Sequence, residues 1–108
     1  MSSSIIARMN DRFRSTLIGG DVFLTPGILA LSEEAQADII AEVQNFEIFS
    51  DGNDPYGEHD FGSFDHYEAD KVFWKIDYYD RDKKMGSENP CDPSKTCRVL
   101  TILLAEEY

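Results

Sequence analysis

Residues 71–79 sort strictly into two faces of an extended chain, and no other segment constrains the fold as much. Val72, Trp74, Ile76 and Tyr78 share one face, while Phe73, Lys75, Asp77 and Tyr79 share the other. A period of two predicts a strand with one side against a core. The closing run, Cys97 to Glu106, is rich in aliphatic and β-branched residues on both faces, the pattern of a strand inside a sheet. His59 to Tyr67 alternates more loosely, and Glu68-Ala69-Asp70 is placed to join it to the 71–79 strand as a hairpin. A short strand at Val22-Phe23-Leu24-Thr25 is stopped by Pro26-Gly27.

Such a sheet needs a cover. Residues 4–17 read as a helix capped by Ser3 or Ser4, with Ile6, Met9, Phe13 and Leu17 as its apolar stripe. Arg8, Asp11 and Arg12 fall elsewhere on its surface, and Gly19-Gly20 offers a left-handed exit. Ile28 to Leu31 fits at most a short helical turn. A second helix follows Ser32 as N-cap, with Glu33 and Glu34 favourable at its positive end. Ala35, Ile39, Val43 and Phe46 form its buried face. Residues 50–58 and 80–96 read as polar loops. The order α-β-α-β-β-β predicts an α+β fold, with two helices packed on one face of a small antiparallel sheet. At 108 residues the chain has room for one core, so residues 1–108 are read as a single domain.

Charge narrows the function classes. The chain carries 10 Lys+Arg against 21 Asp+Glu, a net charge of −11, which argues against direct binding to a phosphate backbone. The imbalance is local: residues 15–70 hold thirteen acidic residues and no Lys or Arg. Aromatics at 12% of the chain separate it from a disordered acidic tail. No apolar run approaches the roughly 18 residues of a membrane span, and the N-terminus lacks a secretory pattern. A soluble cytoplasmic protein with no membrane partner and reduced thiols at Cys91 and Cys97 is the expectation. There is no nucleophile elbow, phosphate-binding loop or dinucleotide fingerprint.

Four constellations remain. Glu34, Asp38 and Glu42 stand at i, i+4 and i+8, a carboxylate row that climbs the helix about 6 Å per step. Together with Asp51, Asp54, Glu58 and Asp65 the row can imitate a phosphate backbone, with Tyr56 as an aromatic anchor for a partner. The plainer reading is a solvated helix face. The second is Glu58-His59-Asp60, with Asp54, His66 and Asp77 nearby, a set suited to metal-assisted hydrolysis or general-base work. Its members are adjacent, however, so an extended backbone points Glu58 and Asp60 away from His59. The plainer reading there is hydrogen bonding to the turn amides of the 50–58 loop. Cys91 and Cys97 with His59 and His66 match no normal zinc spacing, and the leading reading takes neither metal nor cofactor. Lys75 and Asp77 among Phe73 and Tyr79 read chiefly as cross-strand packing, and otherwise as an interaction surface.

Five segments in order carry a resemblance. They are Asn-Asp-Arg-Phe-Arg at 10–14, Gly-Gly-Asp-Val-Phe-Leu-Thr-Pro-Gly at 19–27 and Asn-Asp-Pro-Tyr-Gly-Glu-His-Asp-Phe-Gly at 53–62. Phe-Trp-Lys-Ile-Asp-Tyr-Tyr-Asp at 73–80 and Arg-Val-Leu-Thr-Ile-Leu-Leu-Ala-Glu-Glu-Tyr at 98–108 complete the set. Together they resemble the bacterial domain-of-unknown-function family 3768, over nearly the whole chain. The resemblance implies no activity, and the Cys91–Cys97 pair lies outside it. It does imply an alphaproteobacterial setting and an association with plasmids and mobile elements. The leading expectation is therefore a non-enzymatic acidic protein that occludes the basic, nucleic-acid-binding groove of a partner. Its concrete form is an inhibitor of a bacterial defence complex such as CRISPR or restriction machinery. The alternatives are a small metal-assisted hydrolase using Glu58, His59, Asp60 and Asp77, and a homodimeric structural domain.

Overall fold

The computed structural model describes residues 2–108. Four strands form one sheet in the order β1-β4-β3-β2, where β1 is Gly20–Leu24, β2 Phe61–His66, β3 Asp70–Tyr79 and β4 Cys97–Leu104. The last strand lies inside the sheet, as its two apolar faces require. β2 and β3 pair antiparallel, Gly62 opposite Trp74, and β3 and β4 pair antiparallel, Trp74 opposite Ile102. β1 pairs parallel with β4, Val22 opposite Leu100. The sheet is therefore mixed, which corrects the all-antiparallel expectation. The pairing partner of β1 is the strand farthest from it in sequence, and no local pattern specifies direction across such a gap.

Helices α1 (Ser2–Thr16) and α3 (Glu33–Gln44) supply the cover. One-turn helix α2 (Pro26–Leu29) realises the ambiguous segment after β1, with proline at a position where its missing N–H is harmless. The element order is thus α-β-α-α-β-β-β, with a 3₁₀ turn at Ala105–Glu107. Ser32 caps α3 by accepting the Ala35 N–H at 3.1 Å, worth about 1 kcal/mol. Ala35, Ile39, Val43 and Phe46 are all buried, as their spacing predicts. α1 ends differently from expectation. Leu17 itself turns left-handed, at φ 60°, and its N–H bonds the Phe13 carbonyl, so the helix closes before Gly19.

The core joins Phe13, Ile28, Ile39, Val43 and Phe46 to Val72, Trp74, Ile76, Leu100 and Ile102. These strand residues all come from one face of the sheet. The other face carries Phe23, Phe61, Phe73, Lys75 and Asp77, with Tyr108 edge-on to Phe61 and Phe73. No helix among the described residues is long and apolar enough to cross a membrane.

Candidate functional site

The carboxylate row stands where the helix pattern places it. Glu34, Asp38 and Glu42 are exposed on α3, along one flank of its buried stripe. Glu33, Glu34 and Glu42 take part in no ion pair among the described residues. Asp38 Oδ2 lies 3.8 Å from His66 Nε2. His66 is buried, and its Nδ1 accepts the Glu68 N–H at 3.1 Å, which puts the ring hydrogen on Nε2. That Nε2 has no hydrogen-bond partner. Asp38, Glu42, Asp65, His66 and Tyr67 line one shallow cavity of about 390 Å³. Asp65 is highly exposed beside Lys71, at 3.8 Å. Glu68, at the same end, accepts both the Ser32 N–H and the Ser32 hydroxyl, and these bonds hold its carboxyl below the usual range.

Loop 50–58 divides the remaining predicted residues. Asp51 is exposed, and Tyr56 is 80% exposed, as an aromatic anchor needs to be. Asp54 and Glu58 turn inward instead. Asp54 is buried, and its Oδ1 accepts the N–H groups of both Glu58 and His59 at 3.1 Å. The side-chain acceptors for amides of this loop are thus Asn53 and Asp54, not His59 or Asp60. Glu58 Oε1 accepts the Tyr78 hydroxyl at 2.9 Å.

Glu58, His59 and Asp60 do not converge. His59 adopts φ 55°, a left-handed conformation uncommon for a residue with a Cβ. Its ring stacks on Phe49, with centroids 3.9 Å apart and planes 2° from parallel. Nδ1 sits 3.0 Å from both oxygens of Asp11, and Nε2 is 3.7 Å from Asp54. With a carboxylate at each ring nitrogen, His59 ties the loop to α1. Asp60 is half-buried, and that burial, with Glu58 beside it, raises its pKa. Asp77 faces the opposite side of the sheet, 3.2 Å from Lys75. Among the described residues no group of three or more His, Cys, Asp and Glu is placed to hold a metal ion.

Beneath this loop runs a buried polar seam that the sequence pattern does not reveal. Asn10 is fully buried on α1; its amide donates to the Glu58 carbonyl at 3.0 Å and to the Tyr78 hydroxyl at 2.8 Å. Its Oδ1 accepts Arg98 Nε at 2.8 Å. Burial pushes the Tyr78 hydroxyl far up, so it stays a donor to Glu58. Arg14 is also buried. It donates to the Val43 carbonyl at 2.9 Å and the Phe46 carbonyl at 2.8 Å, and its guanidinium lies over the Trp74 and Phe49 rings. Val43 is in the last turn of α3 and Phe46 just beyond its end, so Arg14 ties the helix exit to α1, where it also pairs with Asp11 at 3.1 Å. On a helical wheel Asn10 falls beside Ile6 and Leu17, and Arg14 at the margin of that stripe; this placement of two polar residues at i, i+4 was the available signal.

Fold and site together define a small α+β protein with a cation-poor acidic helix face and a polar seam fastening its first helix. The chain belongs to the family described as Protein of unknown function (DUF3768), which matches residues 24–107. Segments 10–14 and 19–23 of the resemblance precede that match, so Asn10, Asp11 and Arg14 lie outside it. No curated protein and no solved structure matches the chain.

Proposed function

We propose that this protein is a non-enzymatic acidic binder whose α3 face occupies a basic, nucleic-acid-binding surface of a partner protein. One observation carries the reading. Glu33, Glu34 and Glu42 lie open on one helix without a neutralising cation among the described residues, and Asp38 continues the row. Like charges one turn apart cost a helix a few tenths of a kcal/mol per pair. Such a face has its natural complement in a strip of Lys and Arg, as on a groove that holds DNA or guide RNA. Asp65 lines the same cavity as Asp38 and Glu42, and Asp51 and Tyr56 on the 50–58 loop are exposed members of the proposed set, in which Asp54 is buried and Glu58 half-buried. On this reading the inhibitor of a bacterial defence complex is the particular form to test first. Replacing Glu34, Asp38 and Glu42 by Gln, Asn and Gln should leave folding intact and abolish capture of the partner from host lysate. Equal capture by the neutralised protein would overturn the reading.

The uncovered sheet face supports a second reading, a homodimer. Phe23 is 58% exposed there, and Lys75 with Asp77 gives the face both signs of charge. Analytical ultracentrifugation of the purified chain decides it: a single monomeric species excludes this form.

A further inference from the structure

The acidic protein has one basic end. Between the C-terminus of α1, the Gly19-Gly20 entry to β1 and the start of β4 lie two adjoining cavities of about 370 and 400 Å³. Arg81, Thr96, Arg98 and Gly19 line both. Arg12 adds a cation on one side and Lys83 on the other. Among the described residues the one carboxylate on the walls, Asp21, is already bonded to Lys83. Arg12 and Arg81 are exposed and make no ion pair among the described residues.

Arg98 makes this more than a patch of surface cations. It is 4% exposed, and its hydrogen bonds go to neutral acceptors, the Asn10 Oδ1 at 2.8 Å and the Pro90 carbonyl at 2.7 Å. The Tyr78 ring lies under it, 5.2 Å from centroid to guanidinium carbon. These contacts fix the fork in place, and among the described residues no carboxylate lies within ion-pair distance of it, Glu58 acting on its charge only from further off. A buried guanidinium normally has a carboxylate or phosphate opposite it. Burial accordingly pulls its pKa down. Gly19 is left-handed at φ 106°, and nothing stands within 4 Å of where a Cβ would be, so a ligand has access to the backbone there. The far side of the groove is apolar, formed by Met9, Phe13, Ile18 and Pro93.

We infer that this groove is a binding site for a small phosphate-bearing molecule with an apolar or planar body, the chemistry of a mononucleotide. The phosphate sits against Arg81, Arg98 and Arg12, and the body lies on the Met9–Ile18 side. The site is separate from the α3 face and does not depend on the role proposed for that face.

The test is a low-salt NMR titration of the full chain with three probes: inorganic phosphate, adenosine monophosphate and adenosine. The monophosphate should bind saturably and shift the Gly19, Gly20 and Thr96 amides, while adenosine leaves them unmoved. Inorganic phosphate should bind the same amides at least about tenfold more weakly, the loss expected when the apolar contact is missing. The double variant R12E/R81E alters two exposed side chains and should keep the wild-type fold, checked by its spectrum. It should weaken monophosphate binding by about tenfold or more. No saturable shift up to millimolar monophosphate, or equal binding by the folded variant, would overturn the proposal. Equal affinity for phosphate and the monophosphate would overturn its apolar half and assign the groove to the free anion.

Discussion

Two buried arginines do different work in this fold. Arg14 spends its guanidinium on the backbone carbonyls of Val43 and Phe46, between the rings of Trp74 and Phe49. Arg14→Met keeps the bulk but removes the hydrogen bonds to both carbonyls and the Asp11 ion pair, and should cost about 2–4 kcal/mol in urea unfolding. Arg14→Lys should recover little of that, because an ammonium cannot reproduce the planar fork. Asp60 works in the opposite direction. Its burial and the neighbouring Glu58 raise its pKa, so the folded state holds its proton more tightly than the unfolded chain does. The ionised carboxylate therefore opposes folding at neutral pH. Asp60→Asn should raise neutral-pH stability, and its advantage over wild type should shrink as pH falls through the raised value toward the ordinary aspartate range. Parallel pH dependence of the two proteins would contradict this. Little of this scale is legible in a sequence. By residue type an Asn and an Arg read as solvent-facing even beside an apolar stripe, and only the partner loop and the helix end above them satisfy their polar groups in the interior.

Elements were more legible, wherever one face decides the pattern. The split of residues 71–79, the interior position of β4 and the Ser32 cap all follow from periodicity or local hydrogen bonding. β1 did not, because its parallel pairing with β4 is set by a contact nearly eighty residues away. The 50–60 segment was half legible: its turn residues announce a loop, but a left-handed His59 clamped between Asp11 and Asp54 depends on α1. Close packing between β2 and β3 gives a direct test at this scale. A Cβ on Gly62 would meet Trp74 Nε1 at 2.5 Å and the Phe46 ring at 2.8 Å. The same approach seals the indole N–H, which is buried with no hydrogen-bond partner. Gly62→Ala should therefore destabilise the protein by about 1–3 kcal/mol through overpacking. Gly57→Ala serves as the control for a loop effect: its cost should come from the left-handed φ of 66° alone, with open space around it.

On the scale of the whole molecule, the net charge of −11 conceals an uneven distribution. The acidic row on α3 lies on one surface, and Arg12, Arg81, Lys83 and Arg98 gather at another. The long stretch without Lys or Arg was plain in the sequence, and so was the helical spacing of Glu34, Asp38 and Glu42. The basic groove was not, since Arg12, Arg81 and Arg98 meet only when β4 brings the ends of the chain together. Surface charge of this kind acts through long-range attraction that salt screens within roughly 10 Å at ordinary ionic strength. Binding through α3 should therefore be salt-sensitive and mutually exclusive with the partner's nucleic acid. The most direct measurement is capture of the partner by the tagged chain, followed by challenge with duplex DNA or RNA at low salt. Displacement by nucleic acid, together with loss of capture when Glu34, Asp38 and Glu42 are neutralised, is the predicted result. A partner that binds this protein and its nucleic acid at the same time, with no change on neutralising the row, would contradict the mechanism.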